Sequence, residues 1–346
     1  MRIGKYLAAG IAFCIVVPLL SACGRQQVDV PEKIQVGVAA YNQSDTFIGE
    51  LVSCLKQQLE GVGESGYEVI MMVRDAAGSQ RTQDDQVKEL IDLGCNVLCV
   101  NLVDRADPSE IIDLARSSNV PIIFFNREPV AEDMMQWDRL YYVGADARQS
   151  GEMQGELVVD AIQADEAMDR NRDGKIQYVV LEGELGHQDA VIRTESAVDA
   201  LKGHGVELEK LGFGTANWDR AQAQNRMQQL ISQYPNQIEL VIANNDAMAL
   251  GAIDAYGKLN YTESALPVFF GIDGTGAGLE AVIDGQLSGT VYNDKEGQAA
   301  AMAGLAVAAV TGTGMDKIEF ENEKYIFLPY HKVTQGNVRD FLYWGK

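Results

Sequence analysis

Short, continuously apolar segments alternate with amphipathic ones along nearly the whole chain, and this rhythm restricts the fold severely. Ile34–Ala40 reads as a strand, and Thr46–Glu60 as a helix with Phe47, Leu51, Leu55 and Leu59 on one face. A strand Tyr67–Val73, a helix around Asp84–Leu93, a strand Asn96–Val100, a helix Pro108–Ser117 and a strand Pro121–Phe125 follow. The rhythm restarts at Tyr141–Gly144 and runs through Gln177–Leu181, Val206–Gly212, Leu240–Ala243, Val268–Gly271 and Leu287–Val291. Uninterrupted apolar strands separated by helices imply parallel sheets covered on both faces. So many strands overfill one small sheet, so the expected fold is α/β, with two doubly wound parallel-sheet lobes. A length of 346 residues accommodates that, at ~150 residues per domain.

The first residues read as something other than a domain. Arg2 and Lys5 precede an apolar run, Tyr6–Leu20, that is too short for a spanning helix and fits a secretory signal. It ends in Leu20-Ser21-Ala22-Cys23, the spacing at which a lipoprotein signal peptidase cuts before a Cys that becomes lipidated. Residues 1–22 are therefore expected to be removed, with Cys23 diacylated and 23–32 serving as a polar tether. Two acyl chains give the stable anchoring that one cannot. The net charge of −22 argues against nucleic acid, which needs cationic patches. Cys54, Cys95 and Cys99 remain as an odd set, expected to be buried thiols.

Polar residues cluster where the strands end. Tyr41-Asn42-Gln43-Ser44-Asp45, Asn101-Leu102-Val103-Asp104, Asn126-Arg127-Glu128, Asn244-Asn245-Asp246, Asp273 and Asn293-Asp294 each follow a strand. Open α/β sheets bind ligands beyond the carboxyl ends of their strands. Taken singly, Asn and Asp at such places are more often caps or turn formers. Together, rich in carboxamides and poor in Lys, they point to an uncharged polyhydroxylated ligand.

Several stretches carry a resemblance. Asn101–Asp104, Val120–Asn126, Tyr141–Gly144, Val241–Met248 and Gly289–Val291 resemble the bacterial galactose/glucose-binding proteins, type I periplasmic solute-binding proteins. The likeness runs from Ile34 to about Phe341. It implies a sugar site of Asp45, Phe47, Asn101, His187, Asp189, Arg193, Trp218, Asn245, Asp273 and Asn293, and all ten positions hold the residue type that family uses. Phe47 and Trp218 can sandwich the C–H faces of a hexopyranose, while carboxylates, amides and the Arg193 guanidinium meet its hydroxyls in charge-assisted bonds. The resemblance assigns Asp45 to the epimeric hydroxyl, so glucose and galactose are both admitted. Simpler readings exist for single residues: Asp45 as a helix cap, Phe47 as core, and His187-Gln188-Asp189 as a cap with Arg193 in a surface i,i+4 pair.

Asp169-Arg170-Asn171-Arg172-Asp173-Gly174-Lys175-Ile176-Gln177 matches the first nine positions of an EF-hand loop. Side-chain oxygens fall at Asp169, Asn171, Asp173 and Gln177, with the backbone carbonyl of Lys175 at position 7. The bidentate acid of position 12 is missing, because Val180 stands there. The resemblance supplies it as Glu239, and with it a structural Ca2+.

Competing motifs fall short. Gly271–Gly278 lacks the G-x-G-x-x-G spacing, and no P-loop, G-x-S-x-G or zinc pattern is present. Paired acids such as Asp45 and Asp273 suit a glycosidase in principle, but a raised-pKa acid is not expected beside Arg193. A repressor of this fold would carry a DNA-binding helix pair where this chain has a signal. The expectation is a non-enzymatic, monomeric binding protein for D-galactose and/or D-glucose. It is held to the outer face of the membrane and docks on an ABC transporter permease, with a chemoreceptor partner left open. Another monosaccharide of the same fold class is the alternative. Lobe 1 is expected over 33–121 plus 294–326, and lobe 2 over 122–293 plus 327–346. Hinge crossings are expected near Asn119–Ile122, Tyr292–Glu296 and Ile326–Pro329.

Overall fold

A computed structural model describes residues 33–342 apart from Ser65. The expected signal, tether and lipidation site at Cys23 lie outside the described residues, as do the last four positions. Lobe 1 is built from β1 (Lys33–Ala40), α1 (Thr46–Glu64), β2 (Glu68–Asp75), α2 (Gln80–Asp92), β3 (Val97–Val100), α3 (Ser109–Ser117), β4 (Ile122–Phe125), α4 (Ala131–Met134) and β5 (Leu140–Gly144). Lobe 2 follows with α5 (Ala147–Ala164), β6 (Ile176–Glu182), α6 (Gln188–Gly203), β7 (Leu208–Thr215), α7 (Arg220–Gln233), β8 (Leu240–Ala243), α8 (Asp246–Lys258), β9 (Val268–Phe270), α9 (Gly276–Ile283) and β10 (Thr290–Asn293). The chain returns to lobe 1 as α10 (Lys295–Thr311) and β11 (Tyr325–Phe327), then ends in lobe 2 with β12 (Tyr330–Val333) and α11 (Val338–Phe341).

The lobe 1 sheet is six-stranded, in the order β11-β5-β4-β3-β1-β2, and all its pairings are parallel. Lobe 2 has a parallel four-stranded sheet, β7-β6-β8-β9. Bridges Phe270↔Gly289 and Asp273↔Tyr292 carry that sheet toward β10, which pairs antiparallel with β12. Both faces of each sheet are covered, as the apolar strands require. In lobe 1, Val36 and Val38 pack with α1 and α10 on one side, while Leu98 and Val100 pack with α2 and α3 on the other. In lobe 2, Val179 and Leu181 pack against α7 and α8, whereas Tyr178 and Val180 meet α5 and α6. Among the described residues, Cys54, Cys95 and Cys99 are free, with Cys95 and Cys99 buried. No described helix is long and apolar enough to cross a membrane.

One expected boundary is corrected. β4 and β5 pair with β3 and with each other, so residues 122–144 belong to lobe 1 and not to lobe 2. The first crossing is therefore the segment between Gly144 and Ala147, after which α5 packs on α6, β10 and β12. The other two crossings fall at Asn293–Lys295 and Leu328–Pro329, between elements of different lobes and near the expected places. Both lobes belong to one compact unit.

Candidate functional site

The carboxyl ends of strands from both lobes face a common cleft. Lobe 1 contributes Tyr41, Asp45, Phe47, Ile48, Asn126 and Arg127; lobe 2 contributes His187, Asp189, Arg193, Trp218, Asn245 and Asp273. The enclosed space is only about 30 Å³. Eight of the ten expected sugar contacts line it. Asn101 and Asn293 are buried just behind it. Asn101 Nδ2 donates to the Phe125 carbonyl at 3.0 Å, and Asn293 Oδ1 accepts from Gln298 at 2.6 Å.

Local chemistry explains how each side chain arrives. Asp45 does cap α1, accepting from the Ile48 N–H at 3.1 Å, yet its other oxygen accepts from the Tyr41 hydroxyl at 2.5 Å inside the cleft. His187 caps α6 through Nδ1, and Asn245 caps α8, accepting from the Met248 N–H at 2.9 Å. Capping and lining are compatible, because one oxygen or one ring edge serves each. Phe47 is both core and wall. Arg193 is no surface partner of Asp189: it is 4% exposed. It donates to the Asn244 carbonyl at 2.7 Å, to Asp273 at 3.4 Å and to the Tyr330 hydroxyl at 3.2 Å.

Three of the lining residues have left-handed backbone, Asn126 (φ 60°) at little cost and two others at more. Trp218 has φ 63° and Asp273 φ 114°, a region a bulky side chain occupies only when its surroundings enforce it. The Trp218 indole lies where a Cβ on Gly183 would be, so glycine there makes room for the ring. His187 meets that ring edge-on at 5.2 Å. Arg193 Nε and Asn101 Oδ1 are buried without a protein partner, a costly state that a polar ligand can relieve.

The electrostatics correct another expectation. Burial pushes the carboxyls of Asp45, Asp189 and Asp273 above the usual aspartate range, with Arg193 or Arg127 pulling back. A nearly closed cleft withdraws water from these acids faster than the guanidinium groups compensate. His187 is pushed down to about 3 by burial and by the charges of Arg127, Arg193 and Arg105, so it stands neutral. Behind the wall, burial lifts Asp246 to about 6. Its carboxylate ties α8 to Thr275 N–H at 2.8 Å and to Thr290 at 2.5 Å, fixing the loop that carries Asp273.

Sequence reasoning passed over Tyr41, Ile48, Asn126, Arg127 and Tyr330. Tyr41, Asn126 and Arg127 stood in strand-end polar clusters already singled out. Tyr330 had no such signal, since its hydroxyl arrives from the far end of the chain.

The expected calcium loop is gathered as its spacing suggests. Glu239 reaches it, Oε1 accepting from the Arg170 N–H at 2.7 Å and Oε2 from the Gln177 N–H at 3.1 Å. Asp169 accepts from Gly174 N–H, Asn171 Nδ2 contacts both Asp173 and Gln177 at 3.1 Å, and Lys175 N–H donates to Asp173 at 2.9 Å. The carboxylates of Asp169, Asp173 and Glu239 thus accept from backbone N–H groups and from the side-chain amides of Asn171 and Gln177 within one loop. No ready-formed cluster of three or more His, Cys, Asp or Glu side chains able to hold a metal is present among the described residues.

Comparison with known proteins matches this geometry. The chain fits the profile of the periplasmic binding protein domain over residues 36–314. It is 36% identical over 314 residues to the D-galactose/methyl-galactoside binding periplasmic protein MglB of Haemophilus influenzae, covering 89% of this chain and 92% of that protein. A xylitol-binding protein of Mycolicibacterium smegmatis is 29% identical over 317 residues, covering 91% and 82%. An ABC transporter solute binding protein from Bacillus halodurans, crystallised with myo-inositol, superposes with a TM-score of 0.73 at 30% identity, covering 90% and 98%. The two lobes, the cleft at their strand ends and these matches together show that the chain belongs to the periplasmic binding proteins, a family of substrate-binding proteins and not of enzymes.

Proposed function

We propose that this protein binds a neutral monosaccharide, D-galactose and/or D-glucose, in the interlobe cleft and delivers it to an ABC sugar importer outside the cytoplasm. The carrying observation is the composition of the cleft: aromatic walls from opposite lobes, Phe47 and Trp218, around Asp45, Asp189, Asp273 and a buried Arg193 whose Nε lacks a protein partner. Apolar faces flanked by charged acceptors and donors match a pyranose, which has C–H faces and a rim of hydroxyls. Similarity to the galactose-binding relative from Haemophilus supports the hexose. A space of about 30 Å³ is far below the usual ligand pocket, so a hexose enters only when the lobes part. The three crossings supply the hinge for that motion.

A second reading, a cyclic polyol, is favoured by the myo-inositol bound to the Bacillus neighbour. A tryptophan-fluorescence titration with galactose, glucose, ribose, xylose and myo-inositol separates the two, because Trp218 lies in the wall. Saturable change with a hexose supports the first reading. Response to myo-inositol alone moves the ligand to the second.

Two further features belong to this reading. Cys23 carries a lipid that holds the protein at the outer face of the membrane, and metabolic labelling with a fatty acid, lost in Cys23→Ser, tests it. The loop Asp169–Gln177 with Glu239 holds a structural Ca2+, its ligands being Asp169, Asn171, Asp173, Gln177, Glu239 and the Lys175 carbonyl. Bound there, the ion would pin α5 to β6 and β8. The permease recognises the closed pair of lobes, and the protein acts as a monomer.

A further inference from the structure

One charged pair crosses the cleft and belongs to neither the expected sugar contacts nor the hinge. Arg127 follows β4 in lobe 1, Glu184 follows β6 in lobe 2, and Nη2 of the first donates to Oε2 of the second at 2.7 Å. The Arg127 side chain is 5% exposed and Glu184 43%. Arg127 is already fixed to its own lobe. Its Nη1 donates to the Val103 carbonyl at 2.9 Å, and its guanidinium lies 3.6 Å from the centroid of the Tyr41 ring. A cation held by a stack and a backbone carbonyl keeps one arm for the opposite lobe, so little side-chain freedom is lost when the pair forms.

Each partner is also attached to a wall of the cleft. Tyr41 donates its hydroxyl proton to Asp45. The Glu184 carbonyl accepts from the His187 N–H at 3.1 Å, and His187 packs edge-on against Trp218. Joining Arg127 to Glu184 therefore joins the Tyr41–Asp45 wall to the His187–Trp218 wall. Other direct ties, from Gly276 N–H to Glu50 at 3.0 Å, from Lys295 Nζ to the Gly274 carbonyl at 3.1 Å and from the Tyr292 hydroxyl to Glu296, involve residues at or beside the crossing at Asn293–Lys295 or held by Lys295. The Arg127–Glu184 pair joins residues of different lobes through side chains alone, so parting the lobes must break it.

We infer that Arg127 and Glu184 form a clasp that sets how long the closed cleft retains its ligand, with Arg127 acting as a positioning residue for the Tyr41–Asp45 wall. A contact made only in the closed state slows release and leaves capture nearly unchanged. With Glu184 partly exposed, salt weakens the clasp. The use of a hexose in the test rests on the sugar reading; the clasp itself does not.

The test is stopped-flow release of galactose from the wild type and Glu184→Gln, from roughly 0.02 M to 0.5 M salt. Glu184→Gln is expected to release sugar about fivefold faster at low salt, the gap closing at high salt, with association changed by less than about twofold. Arg127→Lys keeps the charge but loses the planar stack, and falls between the two. Equal release rates at low salt, or a gap between wild type and variant that salt does not close, overturn the clasp. If the wild type binds no hexose, the sugar reading fails by itself. Small-angle X-ray scattering of the ligand-free proteins then decides the clasp: a larger radius of gyration for Glu184→Gln supports it, and an unchanged one overturns it.

Discussion

Trp218 shows how one residue can report on the whole site. Its left-handed backbone and its seat against Gly183 make sense only if the ring must face the cleft. Trp218→Ala is expected to weaken hexose binding on the order of 100-fold with the far-UV circular dichroism unchanged. Gly183→Ala displaces the indole without removing it, and a calorimetric titration should show a smaller loss, about tenfold. Asp246 carries a pH signature. Its folded pKa of about 6 lies above the unfolded 3.8, so the folded protein binds the extra proton between those values. This contribution is fully present below about pH 4 and is lost as pH rises through 6, on the order of 2–3 kcal/mol. Urea unfolding of the ligand-free protein should show stability falling from pH 4 to pH 7, and Asp246→Asn should flatten that slope. At this scale much of the site is legible in sequence, because polar residues after apolar strands stand out. Tyr41 and Arg127 were visible in the same clusters, but their roles come from partners far along the chain, Arg127 from Glu184 and Val103, which no local pattern indicates.

Elements tell a similar story. The strand expectations correspond closely to β1–β6, β8 and β9, since burial on both faces writes itself as unbroken apolar runs such as Val97–Val100 and Leu240–Ala243, while β7 and β10 lie two to three residues later than Val206–Gly212 and Leu287–Val291. The loop Asp169–Gln177 is the element with the sharpest consequence. If Ca2+ binds there, titration of chelator-treated protein gives one site, and calcium at 100 times its Kd raises Tm by about 5 °C. Asp173→Ala should abolish both effects. Heat release that persists in that variant would place the ion elsewhere. Glu239 could not be found from the loop alone: it stands at the start of β8, and only the pairing of β8 with β6 brings it there.

For the molecule as a whole, periodicity identifies strands but not the sheet each one joins. The expected second lobe begins at residue 122, whereas β4 and β5 complete the first lobe and β5 is flanked by β11 from near the end of the chain. Lobe membership is a property of long-range pairing, so the first crossing moved to Gly144–Ala147 while the other two stayed. The arrangement suits the proposed mechanism: two parallel sheets, three short connections, and a cleft lined from both lobes. Closure on a hexose is the central claim. Calorimetric titration of galactose and glucose into the calcium-loaded wild type tests it most directly, with Trp218→Ala alongside. One saturable site per chain for at least one of the two sugars, strongly weakened in the variant, is the predicted result. No heat with either hexose, or binding that Trp218→Ala leaves intact, would contradict it.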